Sequence, residues 1–279
     1  MVESSIDALL PPEMARKAED LGVKKAELRG LRLFALAFLA GAFIGLGAVF
    51  ATTTAAGVGA LPYGIGRLAV GMSFCLGLIL VVVGGAELFT GNNLIAMAWA
   101  SRRVSTAALL RNWGVVYCGN FVGALSVAGL VAVAGHHRMG GGAVGEVALT
   151  IATSKVGLGF AQAVALGILC NILVCLAVWL TYSARSTTDR IVAIIFPITA
   201  FVAAGFEHSV ANMYFIPAAL LIGWLDPGFV SERGIDLSTV GWGSMWLKNL
   251  LPVTLGNLLG GGVGVGAVYW AIFLRRRSG

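Results

Sequence analysis

Glu207 and His208 stand side by side in Gly205-Phe206-Glu207-His208-Ser209-Val210-Ala211-Asn212-Met213, inside a segment, Ile191 to Leu225, with no other Lys, Arg, His, Asp or Glu. In apolar surroundings a carboxylate and an imidazole can hold a proton, meet an anion or take up donors freed by a broken helix. Each is costly enough there to need a pathway or a partner. Glu87 has the same setting in Gly85-Ala86-Glu87-Leu88-Phe89-Thr90-Gly91-Asn92. Gly85, Glu87 and Asn92 recur as Gly205, Glu207 and Asn212 at a constant offset of 120.

Other chemistry is thin. No HExxH, Walker A or nucleophile-elbow pattern occurs. Gly140 to Gly145 fits GxGxxG but follows no βαβ unit, and the glycines from Gly260 to Gly266 read as close helix packing. His136-His137 reads as a solvated loop pair rather than a metal site. The four cysteines, Cys75, Cys118, Cys170 and Cys175, lie in apolar segments without CxxC spacing, which argues against disulfides and zinc. The expectation is a non-enzyme with no metal and no cofactor.

Composition supplies the setting. Of 279 residues 58% are apolar and 11% charged, against ~25% charged in a typical soluble domain. The chain reads as an all-α polytopic membrane protein with six transmembrane spans, and nucleic acid is not an expected partner. Residues 1–30 form a charged N-terminal segment without the apolar core of a signal peptide. It is read as an amphipathic helix on the membrane or under a pore, or as a tail. Charge-free stretches give spans at about Leu33 to Ala56, Asn112 to Gly135, Val156 to Ala184 and Asn249 to Leu274. Leu68 to Ser101 and Ile191 to Leu225 are too long for one straight crossing of a ~30 Å core. Each is expected to break at its Gly/Glu/Asn motif, the second also near Pro197. The loop between the third and fourth spans is expected to hold His136, His137, Arg138, Glu146 and Lys155.

With both termini on one side, that side carries fourteen of the Lys and Arg residues and the other carries five. The richer side is expected to be cytoplasmic, with both termini there and a basic tail at 275–279. Arg111-Asn112, Gly119-Asn120 and Gly123 recur as Lys248-Asn249, Gly256-Asn257 and Gly260 at an offset of 137. The 31–274 domain is therefore read as two inverted three-helix repeats, about 31–135 and 155–274, with the site between its two broken helices. Glu87, Glu207, Asn92 and Asn212 are assigned to the breaks, where the carboxylates are expected to accept freed backbone N–H groups. Thr90 is the candidate partner of His208 across the pseudo-two-fold axis.

At these residues the sequence resembles the formate/nitrite transporter family. The matching segments are GAELFTGN (Gly85–Asn92), LGILCNILVCLAVW (Leu166–Trp179), GFEHSVANM (Gly205–Met213) and KNLLPVTLGNLLG (Lys248–Gly260). The resemblance implies an aquaporin-like fold in a prokaryotic inner or plasma membrane, assembled as a homopentamer with one pore per protomer. It makes His208 and Thr90 the central polar pair. It puts Phe74, Leu78 and Leu88 at a constriction near the first break and Phe201 at one near the second. Asn171 and Lys155 match polar positions facing the pore or its vestibule. The implied cargo is a small monovalent anion moving with protons through the lipid bilayer, formate first. Nitrite and hydrosulfide remain open, because Gly91-Asn92 after Phe89-Thr90 departs from one formate-channel pattern. A neutral-solute, aquaporin-like channel is the reading from a different class, although the NPA motifs are absent.

Overall fold

A computed structural model describes residues 8–275; residues 1–7 of the N-terminal segment and 276–279 of the basic tail lie outside it. The regular structure of the described residues is helical throughout. In chain order the helices are α1 (Pro11–Glu27), α2 (Gly30–Ala55), α3 (Tyr63–Gly84), α4 (Ile95–Ala100, after a 3-10 turn at Gly91–Leu94), α5 (Thr106–Val133), α6 (Ala143–Val156), α7 (Phe160–Ser183), α8 (Thr187–Ala203), α9 (Ser209–Leu225), α10 (Pro227–Arg233) and α11 (Trp242–Phe273). Helices α2, α3, α5, α7 and α11 are each long and apolar enough to cross a bilayer. Helices α8 and α9, of 17 residues each, divide the second overlong segment between them, and α9 turns by 104° into α10.

Both breaks are made by glycine. Gly85 has φ +79° and Gly205 φ +76°, a left-handed conformation that costs a side chain ~1–2 kcal/mol and glycine very little. Pro197 lies within α8, and the chain leaves the helix only after Ala203.

A helix broken at membrane depth leaves backbone groups that water cannot satisfy. Two asparagines take them. Asn120 on α5 accepts from Phe89 N at 2.9 Å and donates to Ala37 O at 2.7 Å and Glu87 O at 3.0 Å. Asn257 on α11 accepts from Ser209 N at 3.0 Å and donates to Gly167 O at 2.8 Å and Glu207 O at 3.0 Å. The backbones also cross-link directly, Glu87 N to Leu36 O and Glu207 N to Leu166 O. Each asparagine thus ties one break to two long helices.

Those helices approach closely because the crossing points are glycine. A Cβ at Gly123 would fall on the Phe38 carbonyl, and one at Gly260 on the Ile168 carbonyl. A Cβ at Gly41 would fall on the Asn120 carbonyl, and one at Gly45 would press on the Val127 side chain. Their small face serves packing inside the chain and is not free for a neighbouring subunit.

Two regions differ from the sequence expectation. The stretch read as a loop carrying Glu146 and Lys155 is helical, α6, with Lys155 in its last turn. His137 is not solvated: it is buried, bonds Asp226 at 2.9 Å and packs edge-on against Phe229. That contact is the main reason the Asp226 carboxyl is held below its usual range. In the N-terminal segment, Met14, Ala15 and Ala18 of α1 are buried against Leu94, Met97, Trp179 and Val265.

Asn257→Ala leaves a buried donor at Ser209 and two buried carbonyls without their partner. It is expected to lower stability by about 2–4 kcal/mol, at ~1–3 kcal/mol per stranded group less what relaxation recovers. The check is thermal unfolding of the purified protein in detergent, with Ser126→Ala, a half-buried position that takes no part in either break, as a control that barely moves.

Candidate functional site

Each break carries the same polar quartet. On the first, Lys25 Nζ meets Glu87 Oε1 at 2.7 Å. Asn92 Nδ2 donates to Glu87 Oε2 at 2.8 Å and to Asn112 Oδ1 at 3.0 Å, and Asn112 Nδ2 donates to Lys25 O at 2.9 Å. On the second, Lys155 Nζ meets Glu207 Oε1 at 2.8 Å. Asn212 Nδ2 donates to Glu207 Oε2 at 2.6 Å and to Asn249 Oδ1 at 2.7 Å, and Asn249 Nδ2 donates to Lys155 O at 3.0 Å. The carboxylates therefore take ammonium and amide donors, not the freed backbone N–H groups expected from sequence. Those go to Asn120, Asn257 and His208.

Lys25 is the member sequence reasoning missed. It sits on α1 where Lys155 sits on α6. The signal was present: Lys25-x-x-Leu28 and Lys155-x-x-Leu158 lie 130 apart, as do the backbone acceptors Leu36 and Leu166. Asn112 and Asn249 were visible as repeat markers but not as ligands of Asn92 and Asn212.

Between the quartets lies a single hydroxyl–imidazole contact. Thr90 Oγ1 and His208 Nε2 are 2.9 Å apart, with both residues buried. His208 Nδ1 accepts the backbone N–H of Ala211 at 3.0 Å, so the imidazole caps α9. A nitrogen accepting a hydrogen bond carries no proton of its own. The resting ring is thus the neutral tautomer protonated on Nε2, donating to the Thr90 oxygen.

Two cavities flank this contact. One, of about 280 Å³, is lined by Arg67, Lys155, Glu207, His208, Phe74 and Phe201 among others. The second, of about 180 Å³, is lined by Lys25, Glu87, Leu78, Val81 and Leu88 among others. Phe74 and Phe201 touch edge to face, with ring centroids 5.6 Å apart, and Phe201 stacks on His208 at 5.9 Å. Phe74 therefore belongs with Phe201 on the Lys155 side rather than with Leu78 and Leu88, because α3 crosses α8 there. All four apolar residues are at most 3% exposed.

Asn171 lines neither cavity. It is fully buried and donates to Asn93 Oδ1 at 2.8 Å and Asn257 O at 2.7 Å, bracing α7 against the first break and α11. The expectation that it faces the pore or vestibule is corrected by those bonds.

Five helices apolar and long enough to cross a membrane, two broken helices and two cavities on either side of one buried polar contact define a multi-pass membrane channel or transporter. The family model described as formate/nitrite transporter matches residues 12–271. The formate channel FocA of Escherichia coli K12 is 44% identical over 283 residues, 99% of this chain and 98% of that protein. The formate channel FocA of Haemophilus influenzae is 41% identical over 93% of each. A solved structure described as a pentameric formate channel with formate bound superposes with TM-score 0.81 at 44% identity, over 88% of this chain and 97% of that one. The chain belongs to the formate/nitrite transporter family.

Lys155 and Glu207 are 14% and 7% exposed, so removing one leaves the other charged in a poorly solvated place. Lys155→Met is expected to destabilise by about 2–4 kcal/mol, slightly below the usual figure for a buried pair because the cavity admits water. Lys155→Met with Glu207→Gln is expected to recover most of that loss. Thermal melts of the parent, both single variants and the double variant measure the coupling.

Proposed function

We propose that this chain forms a homopentameric channel for small monovalent anions, formate first, in the inner membrane of a prokaryote, and that the anion crosses with a proton at Thr90 and His208. The chain's own support is the Thr90–His208 contact, set between two cavities that each hold an ammonium group. The names of the relatives support formate, and the pentameric neighbour supports the assembly. The excess of Lys and Arg on one side supports cytoplasmic termini, which puts the Lys25 cavity on the cytoplasmic side and the Lys155 cavity outside.

The mechanism starts from the cost of the anion. A bare carboxylate moved into a dry apolar gap loses tens of kcal/mol of hydration by idealised estimates, and its protonated form loses far less. In each vestibule the lysine draws the anion inward while the carboxylate beside it keeps the site from becoming a trap. At the centre the anion meets an Nε2–H and a hydroxyl. For the ring to act as an acid it must become imidazolium, which costs the Nδ1 bond to Ala211 N–H. An adjacent anion offsets that cost, so the ring charges when cargo is beside it and is neutral otherwise. The proton that charges the ring is taken up at Nδ1 from the water of the vestibule the anion entered by. Nε2 then gives its proton to the carboxylate, and formic acid passes the apolar rings and releases the proton in the far vestibule. The ring resets by losing the Nδ1 proton and regaining one at Nε2, which restores the bond from Ala211 N–H.

Formate flux and accompanying proton movement in liposomes, from about pH 5 to 8 around the reference histidine pKa, test this reading. The parent is expected to carry both. His208→Asn is expected to fold and pass anion with no proton coupling and a flat pH profile, and His208→Phe to block the pore. A parent profile retained in His208→Asn would sink the proton step.

The apolar residues are assigned the selection by size. Phe201→Ala and Leu78→Ala are expected to raise formate flux and admit acetate and lactate, read by competition in the same liposomes. Unchanged selectivity in both would make them packing residues.

A further inference from the structure

The two quartets match in composition but not in how each lysine is held. Lys25 Nζ donates to Glu87 Oε1 at 2.7 Å and to Asn92 Oδ1 at 3.1 Å. Lys155 Nζ donates to Glu207 Oε1 at 2.8 Å and, among the described residues, to no second oxygen. It lies instead over the ring of Phe215, 5.4 Å from the centroid. The amide oxygen that corresponds to Asn92 Oδ1, that of Asn212, is buried and has no hydrogen-bond partner. The other end of that amide donates to two acceptors, Glu207 Oε2 at 2.6 Å and Asn249 Oδ1 at 2.7 Å. Only a nitrogen can do so, which fixes the orphan atom as oxygen.

A buried acceptor without a donor is costly, and an ammonium already on Glu207 is the obvious donor. Something keeps it away, and Phe215 is the group in place. It lines the cavity of Lys155 and Glu207 and is braced edge-on by Tyr214, with ring centroids 5.7 Å apart. The electron-rich face of a ring attracts a cation, most strongly where water is scarce. The matching position 120 residues earlier is Ile95, which packs with Ala26 and Ala98. Among the described residues no ring lies under Lys25, and there the ammonium takes the amide oxygen. The ring is present where the amide bond is missing.

An ammonium has three N–H groups. Lys25 commits two of them to protein oxygens and Lys155 one. Arg67, the other cation lining this cavity, is tied to the end of α8 by bonds to Ala203 O at 3.0 Å and to Val202 O. We propose that Phe215 is a positioning residue for the anion: it holds the Lys155 ammonium off Asn212 Oδ1, so that two N–H groups stay uncommitted for a carboxylate entering the vestibule. The proposal rests on the anion-channel reading above and adds a residue to it. Without the ring, Lys155 turns about its ion pair with Glu207 onto Asn212 Oδ1, and an arriving anion must displace that bond. A ring contact at a partly solvated cation shifts such an equilibrium roughly two- to five-fold.

The experiment measures the concentration dependence of formate entry in vesicles holding the channel in one orientation, and in vesicles holding the other. Phe215→Leu and Phe215→Met both remove the ring with modest change in volume. Each is expected to raise KM from the Lys155 face roughly two- to five-fold, with the maximal rate and the KM from the Lys25 face unchanged. Phe215→Tyr keeps the aromatic face and is expected to keep the parent KM. A solved structure of either ring-less variant is expected to show Lys155 Nζ within hydrogen-bond reach of Asn212 Oδ1. Parent KM values in the ring-less variants would overturn the proposal, as would a fall in maximal rate without a rise in KM. So would a Phe215→Tyr variant that behaves like Phe215→Leu, or a ring-less structure in which Lys155 stays off Asn212. A parent that carries no formate above empty vesicles would instead bring down the channel reading itself.

Discussion

The constraint on which everything else depends is the satisfaction of backbone groups at two interruptions inside a membrane. An unpaired buried N–H or C=O is expensive, and in lipid no water is at hand. Asn120 and Asn257 answer that constraint with one acceptor and one amide each, directed at three backbone groups. They can reach only because α2 meets α5, and α7 meets α11, at glycines. Close packing is therefore the condition for a break, and the break is the condition for placing Thr90 and His208 at the centre.

The carboxylates and lysines form a second layer on this frame. Each Glu is fixed by an Asn, that Asn by a second Asn, and the second Asn by the backbone of the helix that supplies the lysine. The vestibule charge is thereby tied to the interior helices, with little freedom for either partner to move away. The imidazole belongs to the same logic, since it caps α9 at Nδ1 and offers only Nε2 to the pore.

Much of this was legible in the sequence where one residue type can do only one job. Gly85 and Gly205 are where the chain turns left-handed, and the Glu and Asn after them mark a polar site in apolar text. Thr90 and His208 could be paired because the repeat puts both breaks on one axis. Asn171 was misread because burial and cavity lining look alike in a helix that is apolar all round. Phe74 was assigned to the wrong side because position along α3 does not reveal where α8 crosses it. The α6 stretch was read as a loop, and Lys25 was passed over in a segment already read as an amphipathic helix or a tail, because only the tertiary contacts of the two lysines with carboxylates distinguish their positions. Arg67 counted as one of five basic residues on the sparse side, and nothing in its neighbours marks it as the cap of a helix 136 positions away.

Carrying both halves in one polypeptide also frees corresponding positions to differ. At the offset of 120, Leu88 corresponds to His208 and Thr90 to Val210. A symmetric pair of identical halves would place two imidazoles on the axis or none, and two would crowd the passage and double its basic sites. Fusion of the halves lets each conduit hold a single imidazole facing a single hydroxyl. The stoichiometry of one imidazole per passage is therefore a consequence of covalent linkage as much as of residue choice.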